Sequence, residues 1–234
     1  MNYPKHLSCL FLFCFLACVK NNTNEVKPPD GKSETTVTGK YKLTFNATWS
    51  SSTHPNDFPS NPHFSGLIGM THNADIKLFE VDKKATDGIK NMAETGGKSP
   101  LSDEIDQLIK EKKAKSRISG GVIGRSPGSV ELEFTIEKSH SLVSVVSMIA
   151  PSPDWFIAVR DVELYEEGKW ISSKIVEVGV YDAGTDAGIN FTSPNKGETG
   201  TIKKITTPPL AINGKVKSMG TITFKKQTNS SIIL

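Results

Sequence analysis

Tyr41, Leu43, Phe45, Ala47 and Trp49 alternate with Lys42, Thr44, Asn46 and Thr48. A two-residue period places all the apolar side chains on one face of an extended chain, as in a half-buried strand, and no helix shares that spacing. The period returns at Val130, Leu132, Phe134 and Ile136, set against Glu131, Glu133 and Thr135. Leu142–Ala150 is apolar almost throughout, as expected of a strand covered on both faces, and it is expected to pair with the strand before it. Phe156–Tyr165 and Trp170–Val180 read as two more strands around the turn Glu166–Lys169, with shorter ones at Ile76–Val81, Thr201–Thr206 and Met219–Lys225.

Helical spacing is confined to one region. Thr86–Glu94 carries Ile89, Met92 and Ala93 before a Gly96–Gly97 stop. A second helix carries Ile105, Leu108 and Ile109 behind a cap from Ser99 or Ser102. These patterns predict a mainly β fold, an antiparallel β-sandwich of about eight strands with a small helical insertion. With 234 residues, 36% of them hydrophobic, the chain can bury a substantial core. A net charge of +3, with no Arg-rich or aromatic-interleaved stretch, gives no footing for a nucleic-acid partner.

All three cysteines, Cys9, Cys14 and Cys18, lie near the start, so the predicted fold contains neither a disulfide nor a thiolate metal site. Lys5, the apolar run Leu7–Leu16 and Ala17-Cys18 resemble a bacterial lipoprotein signal, with cleavage before Cys18 and acylation of that residue. Leu16 stands where a small residue is more usual, and an ordinary secretory signal is the alternative. Either reading puts the mature protein outside the cytoplasm, on a bacterial envelope or secreted. The expected organisation is a signal peptide at 1–17, a polar tether at 18–39, the folded domain at 40–228 and a tail at 229–234.

Two turns carry candidate chemistry. Pro151–Trp155 contains Asp154, and Val180–Gly188 contains Asp182 and Asp186 with Gly184 between them. Asp154 opens one predicted strand and Asp182 closes the next, so antiparallel pairing brings both to one end of a sheet. Loops rich in Asp and Gly offer carboxylates and accessible carbonyls, which calcium uses in sets of about six to eight oxygens. The segment is not an EF-hand, because Gly184 falls at a ligand position and Ser193 replaces the terminal glutamate. Such clusters also make ordinary turns whose carboxylates bond backbone amides.

Lys110, Lys112, Lys113, Lys115 and Arg117 form a basic run that suits an anionic polysaccharide, a glycosaminoglycan-like polyanion or a lipid surface, or equally a solvated helix end. His54, His63 and His72 are evenly spaced, but nothing near them supplies the rest of a zinc site, so structural roles are expected. A metal-dependent hydrolase using the aspartates with His54 or His72 as base is the alternative function. No nucleophile motif supports it.

Several stretches taken together, in order, resemble the spondin domain of F-spondin-type extracellular matrix proteins. They are Tyr41–Phe45, Trp49-Ser50 with Thr53–Pro55, Phe58-Pro59, Ile68-Gly69 with His72, Gly88–Lys90, Pro151–Trp155, Asp182–Asp186 with Gly188, and Ser193–Lys196. The resemblance implies a C2-like β-sandwich that holds a calcium ion in loops at one end, through Asp154, Asp182 and Asp186. It also implies a non-enzymatic adhesion or ligand-binding module. Tyr165 stands where the animal proteins carry a cysteine, and Tyr181 where they carry a tryptophan.

Overall fold

The computed structural model describes residues 37–228. Cys18, the leader at 1–17, nearly all of the tether and the tail at 229–234 therefore lie outside the described residues. In chain order the strands are β1 (Thr38–Ala47), β2 (His63–Phe64), β3 (Ile68–His72), β4 (Ala114–Ser119), β5 (Gly128–Glu137), β6 (Leu142–Ala150), β7 (Trp155–Glu163) and β8 (Tyr165–Glu166). They continue as β9 (Lys169–Trp170), β10 (Ser173–Glu177), β11 (Gly179–Asp182), β12 (Lys203–Lys204), β13 (Ala211–Ile212), β14 (Lys215–Val216) and β15 (Gly220–Lys226). The helices α1 (Asp87–Thr95) and α2 (Leu101–Lys110) lie between β3 and β4.

The strands make two main antiparallel sheets, one ordered β10-β15-β1-β5 and the other β12-β11-β7-β6-β3-β4 with β2 against β6, and two small ribbons, β8-β9 and β13-β14. The alternation in β1 does what it predicts. Tyr41, Leu43 and Phe45 are fully buried while Lys40 and Asn46 face solvent. They meet Val143, Val145 and Ile157 of the second sheet in a core that also takes Phe134, Ile222 and Phe224.

β6 is apolar on both sides because it has two neighbours. One face joins that core, and the other carries Val146 and Met148 into a second cluster with Ile89, Met92 and Ile105 of the helices. The helical insertion is thus a lid on the outer face of the second sheet. Thr86 caps α1 by accepting from Ile89 N at 3.2 Å, and Gly96 closes it in the left-handed region at φ 73°.

Four local expectations fail. β5 pairs with β1, and β6 with β3 and β7, so these two consecutive strands lie in different sheets. Alternation identifies a buried face without saying which sheet supplies the neighbour. Ile76–Val81 forms no strand, because Leu78 and Phe79 are anchored by packing under the helices and not by a ladder. Trp170–Val180 is no single strand. β10 pairs with β15 in the first sheet, the chain crosses at Val178, and β11 returns to β7 in the second. Finally, neither Ser99 nor Ser102 caps α2, whose N-cap is Pro100 without a side-chain bond.

Candidate metal centre

The two aspartate turns meet at one end of the second sheet. Asp182 is opposite Trp155 in the β11–β7 register, and Ala183 N donates to the Asp154 carbonyl at 3.2 Å. Strand pairing therefore delivers Asp154 and Asp182 side by side. Gly184 makes the following bend possible, since it sits at φ 71° and a Cβ there would lie 2.6 Å from the Thr201 carbonyl oxygen.

Asp154 is completely buried. Its Oδ2 accepts from Thr185 N at 2.7 Å, from Thr185 Oγ1 at 3.2 Å and from Asp186 N at 3.1 Å. Its Oδ1 is buried with no hydrogen-bond partner. Burial, with the Asp182 charge adding to it, pushes the Asp154 carboxyl up to about 6 against the pull of those donors. Asp182 is likewise raised, first by burial and then by the Glu198 charge, although Gly184 N donates to its Oδ1 at 2.7 Å.

Asp186 is 6% exposed. Its Oδ1 accepts from Gly188 N at 2.8 Å and its Oδ2 from Lys196 N at 3.2 Å, so it braces two loops. Glu198 was not singled out from the sequence. The Gly197–Gly200 segment could have flagged it, as a lone acid between glycines. It lines a cleft of about 260 Å³ together with Asp182, Thr201 and Lys203.

A hard cation fits part of this arrangement. A buried carboxylate oxygen without a donor, next to a second carboxylate, is an acceptor with unmet demand. Among the described residues, however, no three His, Cys, Asp or Glu side chains are gathered closely enough to enclose an ion by themselves. A ligand set centred on Asp154 and Asp182 would need backbone oxygens to complete it.

The other candidate residues lie elsewhere. His72 is fully buried in β3, with Nδ1 2.8 Å from the Asn73 carbonyl and Nε2 2.9 Å from Ser144 Oγ. It is paired with Leu142, the first residue of β6, whereas Asp154 follows the last, so a strand length of about 30 Å separates them. His54 is buried and donates from Nε2 to the Lys217 carbonyl at 3.1 Å. His63 Nδ1 lies 2.8 Å from the Asn61 carbonyl.

The basic run is divided between a helix end and a strand. Lys110 closes α2, Lys112 turns the chain, and Lys115 and Arg117 stand on β4. Lys113 pairs with Glu111, Lys115 with Glu137 and Arg117 with Asp106, so three of the five cations already have partners.

A family model described as Spondin_N matches residues 39–212, which takes in the second sheet, the helices, all three aspartates and the first sheet apart from β15. The chain belongs to the Spondin_N family. Spondin-1 of Homo sapiens is 33% identical over 165 residues, covering 68% of this chain and 20% of the relative. Spondin-1 of Xenopus laevis is 34% identical over the same length. Spondin-2 of Rattus norvegicus is 30% identical over 190 residues, covering 79% of this chain and 57% of its own. The chain thus spans a fifth of the Spondin-1 proteins and about half of this Spondin-2. The shared part is a Spondin_N domain and not the remainder of those relatives.

Proposed function

We propose that this Spondin_N domain is a calcium-stabilised, non-enzymatic adhesion or ligand-binding module, displayed outside the cytoplasm on a bacterial envelope through acylated Cys18. The observation that carries the calcium reading is the donor-less, buried Oδ1 of Asp154 beside Asp182. Asp154 and Asp182 would hold the ion with backbone oxygens, and Asp186 would hold the loops that present them. The ion supplies positive charge that relieves the repulsion between buried carboxylates, and so raises stability by mass action. Family membership supports a binding role over catalysis. The Leu7–Leu16 run before Cys18 supports export.

The test is a thermal melt of the purified domain with chelator and with added calcium. Calcium should raise the melting temperature of the parent protein. Asp154→Asn and Asp182→Asn should abolish the rise. An undiminished rise in both variants would place the ion elsewhere.

A further inference from the structure

A second feature at the same end of the sandwich is independent of the aspartates. Residues 48–62 join β1 to β2 without a helix or strand. Connections longer than about 12–15 residues are uncommon in compact domains unless they serve a function. This one is fastened from beneath. His54, 1% exposed, bonds the Lys217 carbonyl through Nε2 at 3.1 Å, and its N donates to the Ser50 carbonyl at 2.8 Å. Ser126, 3% exposed, ties the facing loop to both ends of it, through Oγ to the Trp49 carbonyl and through N to the Pro62 carbonyl, each at 2.8 Å.

Between the two fastened loops runs a groove of about 420 Å³. Its chemistry is mixed in a specific way. Phe58 offers a half-buried ring, held edge-on against Trp49 at 5.4 Å, with Pro59 beside it. Ser51 and Ser60 contribute exposed hydroxyls on the rim. Arg125 stands exposed on the wall and makes no ion pair among the described residues, unlike Lys113, Lys115 and Arg117.

We propose that this groove binds a carboxylate-bearing sugar, a uronate unit of an acidic saccharide. Arg125 takes the carboxylate, Phe58 the apolar face of the ring, and the serine hydroxyls the ring hydroxyls. A guanidinium matches a carboxylate in two parallel hydrogen bonds, which a lysine cannot do. Hydroxyls both donate and accept, as a sugar requires. The volume lies within the range of about 300–1,000 Å³ typical of small-ligand sites. An extended peptide is a poorer occupant, because the groove is bordered by loops and not by a free strand edge that could extend a ladder.

This inference rests on the binding-module reading but does not use the ion. The experiment is calorimetric titration with trimers of galacturonate, glucuronate and mannuronate, with neutral trigalactose as control, in calcium and again in chelator. At least one uronate should bind more tightly than the neutral trimer in both buffers. Arg125→Gln should weaken it at least tenfold and Phe58→Ala should weaken it too, with the melting temperature of Arg125→Gln unchanged. The site is overturned if no uronate binds, if Arg125→Gln binds equally, or if binding vanishes in chelator. Tighter binding of an Asp-rich peptide through Arg125 would also overturn it. Uronate binding without a calcium response would sink the ion and leave this groove standing.

Discussion

His54 and His72 are both fully covered side chains whose ring nitrogens are engaged, and burial holds each below its ordinary value of 6.5. In the unfolded chain each would take a proton as the pH falls past 6.5, while the folded form resists. Their contribution to stability is therefore intact above that pH and is lost progressively below it. Asp154 works in the opposite sense. Its carboxyl is raised to about 6, so in chelator its penalty grows as the pH rises from about 4 through 6. In chelator, Asp154→Asn should therefore be stabilised relative to the parent at pH 7, on the order of 2 kcal/mol, and much less at pH 4. His72→Gln should flatten the loss of stability between pH 7.5 and 5.5. Urea denaturation at each pH measures both. Equal pH profiles in parent and His72→Gln would show that His72 is not the titrating group.

At the scale of elements, the helical lid depends on a small polar knot. Thr86 caps α1 and also donates from Oγ1 to Glu104 Oε2 at 2.7 Å, while Gly88 N donates to Glu104 Oε1 at 2.7 Å. One carboxylate of α2 thus holds the start of α1. Thr86→Ala should cost about 1 kcal/mol, and more if Glu104 is left without its second donor. A urea midpoint unchanged from the parent would mean that packing of Ile89 and Met92 alone fixes α1. That start was readable from Thr86 and the apolar spacing behind it, as was β1 from its strict alternation. The crossing at Val178 was not, since Trp170–Val180 keeps its alternation while its partner changes from β15 to β7. The proximity of Asp154 and Asp182 followed from strand order. The use of both Asp186 oxygens on backbone amides did not, because only the folded loop shows which donors reach it.

For the molecule as a whole, that crossing matters more than either sheet alone. β10 and β11 are separated by one residue, Val178, yet they belong to opposite layers, so neither sheet can leave the other without breaking the chain's path between them. The two layers should unfold as one cooperative unit. Tryptophan fluorescence, from Trp49 and Trp155 at the aspartate end and Trp170 at the other, should report the same midpoint as far-ultraviolet circular dichroism. Ile157→Ala, which empties a fully buried site between the layers, should shift both signals together by about 2–5 kcal/mol. Separate midpoints would show that the layers come apart in stages.

One pairing sets the orientation of everything above. Tyr41 lies against Lys226, and Gln227 N donates to the Lys40 carbonyl at 2.8 Å, so the chain enters and leaves the sandwich through the same base. Ala47 and Gly220, at the far end of that hairpin-like pair, lie toward Trp49, which packs against Phe191, itself edge-on to Trp155 beside Asp154. A leash fixed at either terminus would hold the molecule by its foot. The Asp154 loops and the Arg125 groove would then share the crown, farthest from the point of attachment and first to meet whatever approaches.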